Sequence, residues 1–175
     1  MHAAKLVKAW YVVHTKSRFE NVLFDGLIKK SLETFLPKVR VRSKRRDRRL
    51  MIQVPLFPGY LFVRTDLSPH EHLEIVKTAG AVRLVGNKDG PLSVPDDTID
   101  SLKIMVATGN EVITGTLFKK GDRIMVVAGP LAGVVGTFTR YQGKDRVVVQ
   151  IEALGQFAAV EVDLNDVEKL PPIIS

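Results

Sequence analysis

The stretch Pro55-Leu56-Phe57-Pro58-Gly59-Tyr60-Leu61-Phe62-Val63 decides how the chain is read. It holds three aromatics, two prolines, one glycine and no charge. Pro58-Gly59 reads as a turn that feeds a short strand. Along that strand Tyr60, Phe62 and Arg64 point one way, and Leu61 and Val63 the other. The pattern leaves two structures open. A central strand would bury both faces beneath helices. A half-buried strand would turn its aromatic row to a partner protein, because docking faces are enriched in aromatics.

Just before this stretch the character inverts. Residues 38–49 carry eight Lys/Arg against one acid. Val39 and Val41 alternate with Lys38, Arg40 and Arg42, and Leu50, Ile52 and Val54 resume the alternation on the way back. The spacing predicts a hairpin with half-buried arms, a first arm that starts near Phe35, and a tip at Lys44–Arg49. Such a density of cations suits phosphate backbones, whose contacts carry little sequence information.

Outward from there, the elements alternate. Residues 1–8 read as a loose tail. Trp10–Thr15 has the aromatic and β-branched content of a buried first strand. Ser17 and Glu20 have the spacing of a capping box. Phe19, Val22, Leu23, Leu27, Ile28 and Leu32 then form a helical apolar stripe, with Lys29 and Lys30 near its carboxyl end, where cations suit the dipole. Ser68-Pro69 predicts a capped helix over His70–Thr78, Gly80 a stop, and Ala81–Val85 a further strand. Pro95-Asp96-Asp97 opens a helix to about Ala107, with Ile99, Leu102, Ile104 and Met105 as buried positions.

Beyond residue 107 the texture changes. Residues 108–116, with two glycines, read as a linker. Short strands follow at 123–127, 133–141, 146–151, 157–162 and 167–170, punctuated by glycine turns. This predicts a small all-β barrel over 117–175. The expected fold is therefore an α+β two-domain protein: residues 1–107 as a sheet flanked by helices, then the barrel.

Charge divides along the same line. Residues 1–116 hold 19 Lys/Arg and 12 Asp/Glu, whereas residues 117–175 hold 7 of each, so the whole +7 excess lies in the first part. The two parts are expected to have different partners. The 45% apolar content is that of a packed globular chain. With no cysteine there is neither a disulfide framework nor a thiolate metal site. No stretch approaches the roughly 20 apolar residues that span a bilayer. The expectation is a cytoplasmic monomer with no cofactor, no metal and no membrane contact.

Enzyme chemistry finds little support. His70 and His72 diverge on a helix, and no close acidic cluster completes a metal site. Gly129–Gly136 lacks the spacing of a phosphate loop. Asp96-Asp97 is first a helix start, and no nucleophile–base arrangement is legible.

The order of these features resembles one family. Trp10-Tyr11-Val12-Val13, a following helix, a basic hairpin, Phe57-Pro58-Gly59-Tyr60 and Val82-Arg83-Leu84-Val85-Gly86 look like the amino-terminal domain of NusG-type transcription elongation factors. Lys120-Gly121-Asp122-Arg123, Val126, Gly129-Pro130-Leu131-Ala132-Gly133 and Gly136, with Val160-Glu161-Val162 following, resemble the KOW motif of the same proteins. The resemblance covers residues 8–171. It implies a factor that docks the clamp helices of the largest RNA polymerase subunit, suppresses pausing or termination, and performs no covalent chemistry itself.

By the same resemblance, Leu61 and Val63 face inward while Phe57, Tyr60 and Phe62 form the polymerase patch. In specialised RfaH-like paralogs, residues around the first helix read non-template DNA. The matching positions are Lys16, Lys29, Lys30 and Thr78, and the hairpin arginines Arg45, Arg46, Arg48 and Arg49 add backbone contact. Ala79 stands where such a paralog carries an arginine, and Glu71-His72-Leu73 where it carries a contact segment for the second large subunit. At Ala79 the chain departs from that paralog's pattern for DNA recognition, and at Glu71-His72-Leu73 from its pattern for the second-subunit contact. The KOW barrel, expected to be SH3-like, is implied to recruit the termination factor Rho or a small-subunit ribosomal protein. Leu131, Val134 and Leu154 lie where the general factor has larger aromatics. Their smaller area weakens such docking by roughly 25 cal/mol for each Å² of apolar surface left unburied. The short link between hairpin and Pro55 looks more like the specialised antiterminators. The glycines and β-branched residues at 133–151 favour a barrel over a helical hairpin. The competing possibility is a ribosome-associated or free RNA-binding protein with a KOW barrel.

Overall fold

In chain order the first elements are β1 (Ala9–Thr15), α1 (Glu20–Lys29), β2 (Glu33–Phe35), the hairpin arms β3 (Lys38–Arg42) and β4 (Met51–Pro55), and β5 (Tyr60–Thr65). There follow α2 (Pro69–Val76), β6 (Ala81–Leu84), the two-residue strands β7 (Gly86–Asn87) and β8 (Gly90–Pro91), and β9 (Ser93–Val94). The computed structural model describes residues 7–43, 50–116 and 121–171. It resolves into two compact units: residues up to Lys38 with Val54–Pro95, and Val39–Gln53 with the chain from Asp96 onward.

The first unit is built on an antiparallel sheet of order β2-β5-β1-β6, with β9 also paired to β1. Its core cluster joins Val13, Leu61, Val63 and Leu84 from the sheet to Leu23 and Leu27 from α1 and Ile75 from α2. These are the alternate residues of each strand, as a pleated sheet with one helix-covered face requires. Ser68 caps α2 as its sequence predicts, accepting from the Glu71 N–H at 3.2 Å, with Pro69 at the first turn.

Helix α1 departs from expectation. The capping box at Ser17 does not form; the helix starts at Glu20, with Phe19 at the cap and no side-chain bond. Arg18 has a left-handed backbone (φ 66°), and the Phe19 N–H bonds the Lys16 carbonyl at 3.0 Å. The Lys16 N–H is held by the Gly80 carbonyl at 2.8 Å, so a long-range backbone bond sets the entry turn. The stripe is also narrower than its spacing suggests: Leu23 and Leu27 are buried, but Phe19, Val22 and Ile28 are exposed. Gly26 lies on α1 because a Cβ there would stand 2.6 Å from Thr78 Cγ2.

The arms on either side of the basic tip pair as a hairpin, with the Ser43 N–H donating to the Leu50 carbonyl at 2.8 Å, while the expected tip at Lys44–Arg49 lies outside the described residues. The first arm starts at Lys38 rather than Phe35, because Phe35 belongs to β2 and Pro37 separates the two. Its arms are half-buried only at their base, at Val39 and Val54; toward the tip Val41, Leu50, Met51 and Ile52 are all exposed, against the expected alternation.

The second unit contains α3 (Asp96–Ala107), β10 (Val112–Thr116), β11 (Arg123–Val126), β12 (Val135–Tyr141), β13 (Lys144–Ile151), β14 (Gln156–Glu161) and β15 (Val167–Lys169), with single 3₁₀ turns at Glu152–Leu154 and Leu164–Asp166. The strands form one antiparallel sheet of order β10-β14-β13-β12-β11-β15, a small all-β architecture that follows the predicted strands closely. Val147 and Val149 pair with Val160 and Ala158, which places these buried residues on one face.

Two segments sit differently from the sequence reading. Helix α3, grouped by sequence with residues 1–107, is joined to the all-β sheet through Ser101, whose hydroxyl accepts from the Val135 N–H at 3.0 Å and donates to its carbonyl at 3.4 Å. Residues 112–116 of the expected linker form β10, paired to β14 from Val112↔Val160 to Thr116↔Gln156. Ile113 packs on Val148, Phe157 and Ala159. At Gly115 an added Cβ would stand 2.6 Å from the Phe157 ring, so the glycine is required by close approach.

Candidate functional site

The aromatic row of β5 is set by its pairing with β1. Phe62 lies opposite Val12 and Tyr60 opposite His14, while Leu61 and Val63 belong to the helix-covered core. The expected division of faces therefore exists. The exposure expected of it does not: Phe57 is 1% and Phe62 0% exposed. Phe62 stacks on Phe35 at 6.0 Å between centroids and meets Phe57 edge-on at 6.4 Å. This is the geometry of packed aromatics, with each ring satisfied by another. Placing Phe57 and Phe62 at an open surface is thus corrected to a buried cluster.

Tyr60 is the accessible member. It is half-buried, and its ring lies 5.2 Å from that of His14, which is half-buried too. Arg83 lies opposite His14 on β6 and is exposed. His14 and Arg83 were not singled out from the sequence. The signal that identifies them is register, His14 opposite Tyr60 and Arg83 opposite His14, which exists only after strand pairing.

Cationic candidates divide in the same way. Lys16 and Lys29 are exposed. Lys30 spends its three donors locally: Nζ reaches the Glu74 carbonyl at 3.0 Å, Thr78 Oγ1 at 2.9 Å and a Glu74 carboxylate oxygen at 3.2 Å. Thr78 is buried, and its hydroxyl donates to the Glu74 carbonyl at 2.6 Å. Lys30 and Thr78 thereby join α1 to α2, which is a structural use of both residues. The Glu74 carboxyl is held below the ordinary glutamate value, first by its bond to Lys77 at 2.8 Å and then by Lys30. Asp66 is lowered likewise, first by its hydrogen bond with Glu71 and then by the Ser68 N–H, which donates at 2.8 Å. Arg45, Arg46, Arg48 and Arg49 lie outside the described residues; the flanking Arg40 and Arg42 are exposed.

In the second unit, Leu131 and Val134 lie in the turn between β11 and β12, where the Gly133 N–H bonds the Val126 carbonyl and the Val134 N–H bonds the Leu131 carbonyl. Both are buried, so neither is the free surface side chain expected of a partner contact. Leu154 is half-buried at the end of its 3₁₀ turn. The same unit carries a polar groove of about 770 Å³, lined in part by Glu111, Lys144, Arg146 and Glu161. Among the described residues no group of three His, Cys, Asp or Glu could hold a metal, and no helix is long and apolar enough to cross a membrane.

Similarity to known proteins runs the length of the chain. A family model described as transcription termination factor NusG matches residues 8–103. The transcription termination/antitermination protein NusG of Thermus thermophilus is 32% identical over 181 residues, covering 91% of this chain and 97% of that protein. Its counterpart in Pseudomonas aeruginosa is 26% identical, covering 94% and 100%. A solved structure titled for domain interaction in Thermotoga maritima NusG superposes with a TM-score of 0.54 at 21% identity, covering 94% of this chain and 98% of that one. That likeness supports the mixed α+β fold with a small all-β second domain.

Proposed function

Because the chain belongs to the NusG family of transcription termination/antitermination proteins, we propose that it binds elongating RNA polymerase through its first unit, suppresses pausing or termination, and recruits a second protein through its KOW unit. The observation that carries the proposal is the His14–Tyr60 ring pair, half-buried at 5.2 Å beside a buried aromatic cluster. A partly exposed aromatic on a rigid, packed base is the kind of anchor that dominates interface energetics. Tyr60 makes the contact to the clamp helices, and Phe57 and Phe62 hold it from beneath. Lys16, Lys29 and the hairpin arginines Arg45, Arg46, Arg48 and Arg49 contact the nucleic-acid backbone, where a net positive field is favourable. Lys30 and Thr78 act there by shaping the surface between α1 and α2.

In the KOW unit, Leu154 faces the partner, Rho or a small-subunit ribosomal protein, with Leu131 and Val134 as its support. Free RNA is the poorer partner for this unit, since residues 117–175 carry no net charge. The factor acts in the cytoplasm, on the transcription complex, without a cofactor.

The test is a pull-down of core RNA polymerase by wild type and Tyr60→Ala, paired with a transcription assay of pause lifetime. Retention should fall at least several-fold in the variant, together with the effect on pausing. Undiminished binding by folded Tyr60→Ala would remove the docking proposal.

A further inference from the structure

Arg146, on β13, is 3% exposed as a residue, and among the described residues its one side-chain hydrogen bond is from Nε to the Tyr141 carbonyl at 3.1 Å. No carboxylate among those residues lies within ion-pair distance of it. Glu161 is its neighbour on β14, but that carboxylate goes to Lys144 at 3.5 Å. The guanidinium therefore keeps its two terminal NH₂ groups for something else, and the residue lines the floor of the 770 Å³ groove. Neither of these nitrogens is a buried polar atom without a partner, so both are open to the groove, and the planar fork fits a carboxylate through two parallel hydrogen bonds.

The rest of the groove narrows the ligand. Glu111, Asp145 and Asp163 also line it. A phosphodiester chain entering there would meet three acids for every free cation, which works against nucleic acid. A smaller hollow of about 170 Å³ shares Asn110, Glu161, Val162 and Asp163 with the groove and continues it to Leu131. The two together offer an apolar end, a buried cation and acidic walls.

We infer that this groove binds an extended segment of a partner protein that presents one carboxylate to Arg146, flanked by basic side chains that pair with the acidic walls. The site goes beyond the polymerase proposal and does not depend on it, because every group it uses lies in the second unit.

The test is NMR titration of the full-length chain, observing the Arg146 Nε–Hε signal and the amides of Lys144 and Glu161. The probes are the capped tripeptides Lys-Glu-Lys and Lys-Gln-Lys and, separately, inorganic phosphate. Lys-Glu-Lys is expected to shift these signals saturably and to bind about tenfold tighter than Lys-Gln-Lys, as loss of one charge-assisted pair dictates. Arg146→Gln should abolish the difference between the two peptides. Since that substitution touches a bonded, buried group, Glu111→Lys at the exposed wall serves as a second variant, expected to weaken Lys-Glu-Lys several-fold with the spectrum otherwise unchanged. Equal binding of the two peptides, no shift with either, or saturation by phosphate in preference to Lys-Glu-Lys would each overturn the assignment. None of these outcomes alters the polymerase pull-down, so the two proposals fail separately.

Discussion

Tyr60 and His14 face each other across the β5–β1 ladder with ring centroids 5.2 Å apart, whereas Phe62, two residues further along the same face, is wholly buried. The row that the sequence presents as one aromatic surface is thus two things. One end is accessible, and the rest is packed between Phe35 and Phe57.

Stability and docking should therefore separate within this row. Phe62→Ala is expected to cost about 3–5 kcal/mol, the range for truncating a buried phenylalanine. Tyr60→Ala should cost about 1–2 kcal/mol, since it gives up one aromatic pair and partial burial. Urea denaturation of the two single variants measures the difference. Comparable losses would mean that Tyr60 is as much a core residue as Phe62.

The contact between Gly26 and Thr78 makes a prediction whose sign reverses with background. Alanine normally improves a helix interior by about 0.8–1.0 kcal/mol over glycine. Here its Cβ would stand 2.6 Å from Thr78 Cγ2, and Thr78 is held by bonds to Glu74 and Lys30. The methyl cannot swing away, so Gly26→Ala should destabilise by roughly 1–2 kcal/mol. Thr78→Ser keeps the hydroxyl and removes the methyl. In that background Gly26→Ala should become neutral or stabilising, which a thermal-melt double-mutant cycle would reveal.

Acid sensitivity should come in part from Glu74. Its folded carboxyl is held below the ordinary 4.5, first by Lys77 and then by Lys30. A depressed carboxylate contributes stability that is complete above the unfolded value and is lost as pH falls through the folded one. Carboxyl-detected NMR titration should give a Glu74 midpoint below 4.5, moved upward by Lys77→Gln and by added salt. A midpoint indifferent to both changes would show that the ion pairs are not formed in solution.

At β10 the close approach of Gly115 to the Phe157 ring gives a local prediction. Gly115→Val should displace this edge strand at a cost of about 1–3 kcal/mol, the usual range for overpacking. Amide hydrogen exchange should then accelerate across Val112–Thr116 while the amides of the β12–β13 ladder stay protected. Uniform acceleration would mean that β10 is integral to the fold of the second unit rather than an addition at its edge.

Replacing Arg45, Arg46, Arg48 and Arg49 by glutamine should reduce binding to a nucleic-acid scaffold. It should also flatten the salt dependence by about 0.9 in log–log slope for each duplex phosphate that is no longer neutralised. An unchanged slope in a salt titration would make the basic segment a solubility device.

Much of this molecule was legible in residue order. The strands of the second unit follow β-branched runs closed by glycine turns, and Ser68-Pro69 starts α2 through a local cap; both signals act over a few residues. The failures share a cause. Ser17 has the spacing of a cap, but the Lys16 N–H is taken by Gly80, more than sixty residues away. Residues 112–116 look like a linker until β14 supplies an edge to pair with. Lys30 looks like a free cation until α2 places Glu74 and Thr78 beside it.

Residue order alone was enough for the family, for a mixed α+β chain with an all-β second part, and for the face of β5 that each side chain takes, because periodicity, turn chemistry and motif order are properties of neighbouring residues. Which of those faces remain open was settled by the fold. Burial of Phe57 and Phe62, the partnering of Tyr60 with His14, and the place of Arg146 on the wall of the polar groove all depend on which strands lie side by side. That is a matter of long-range pairing, and no local pattern encodes it.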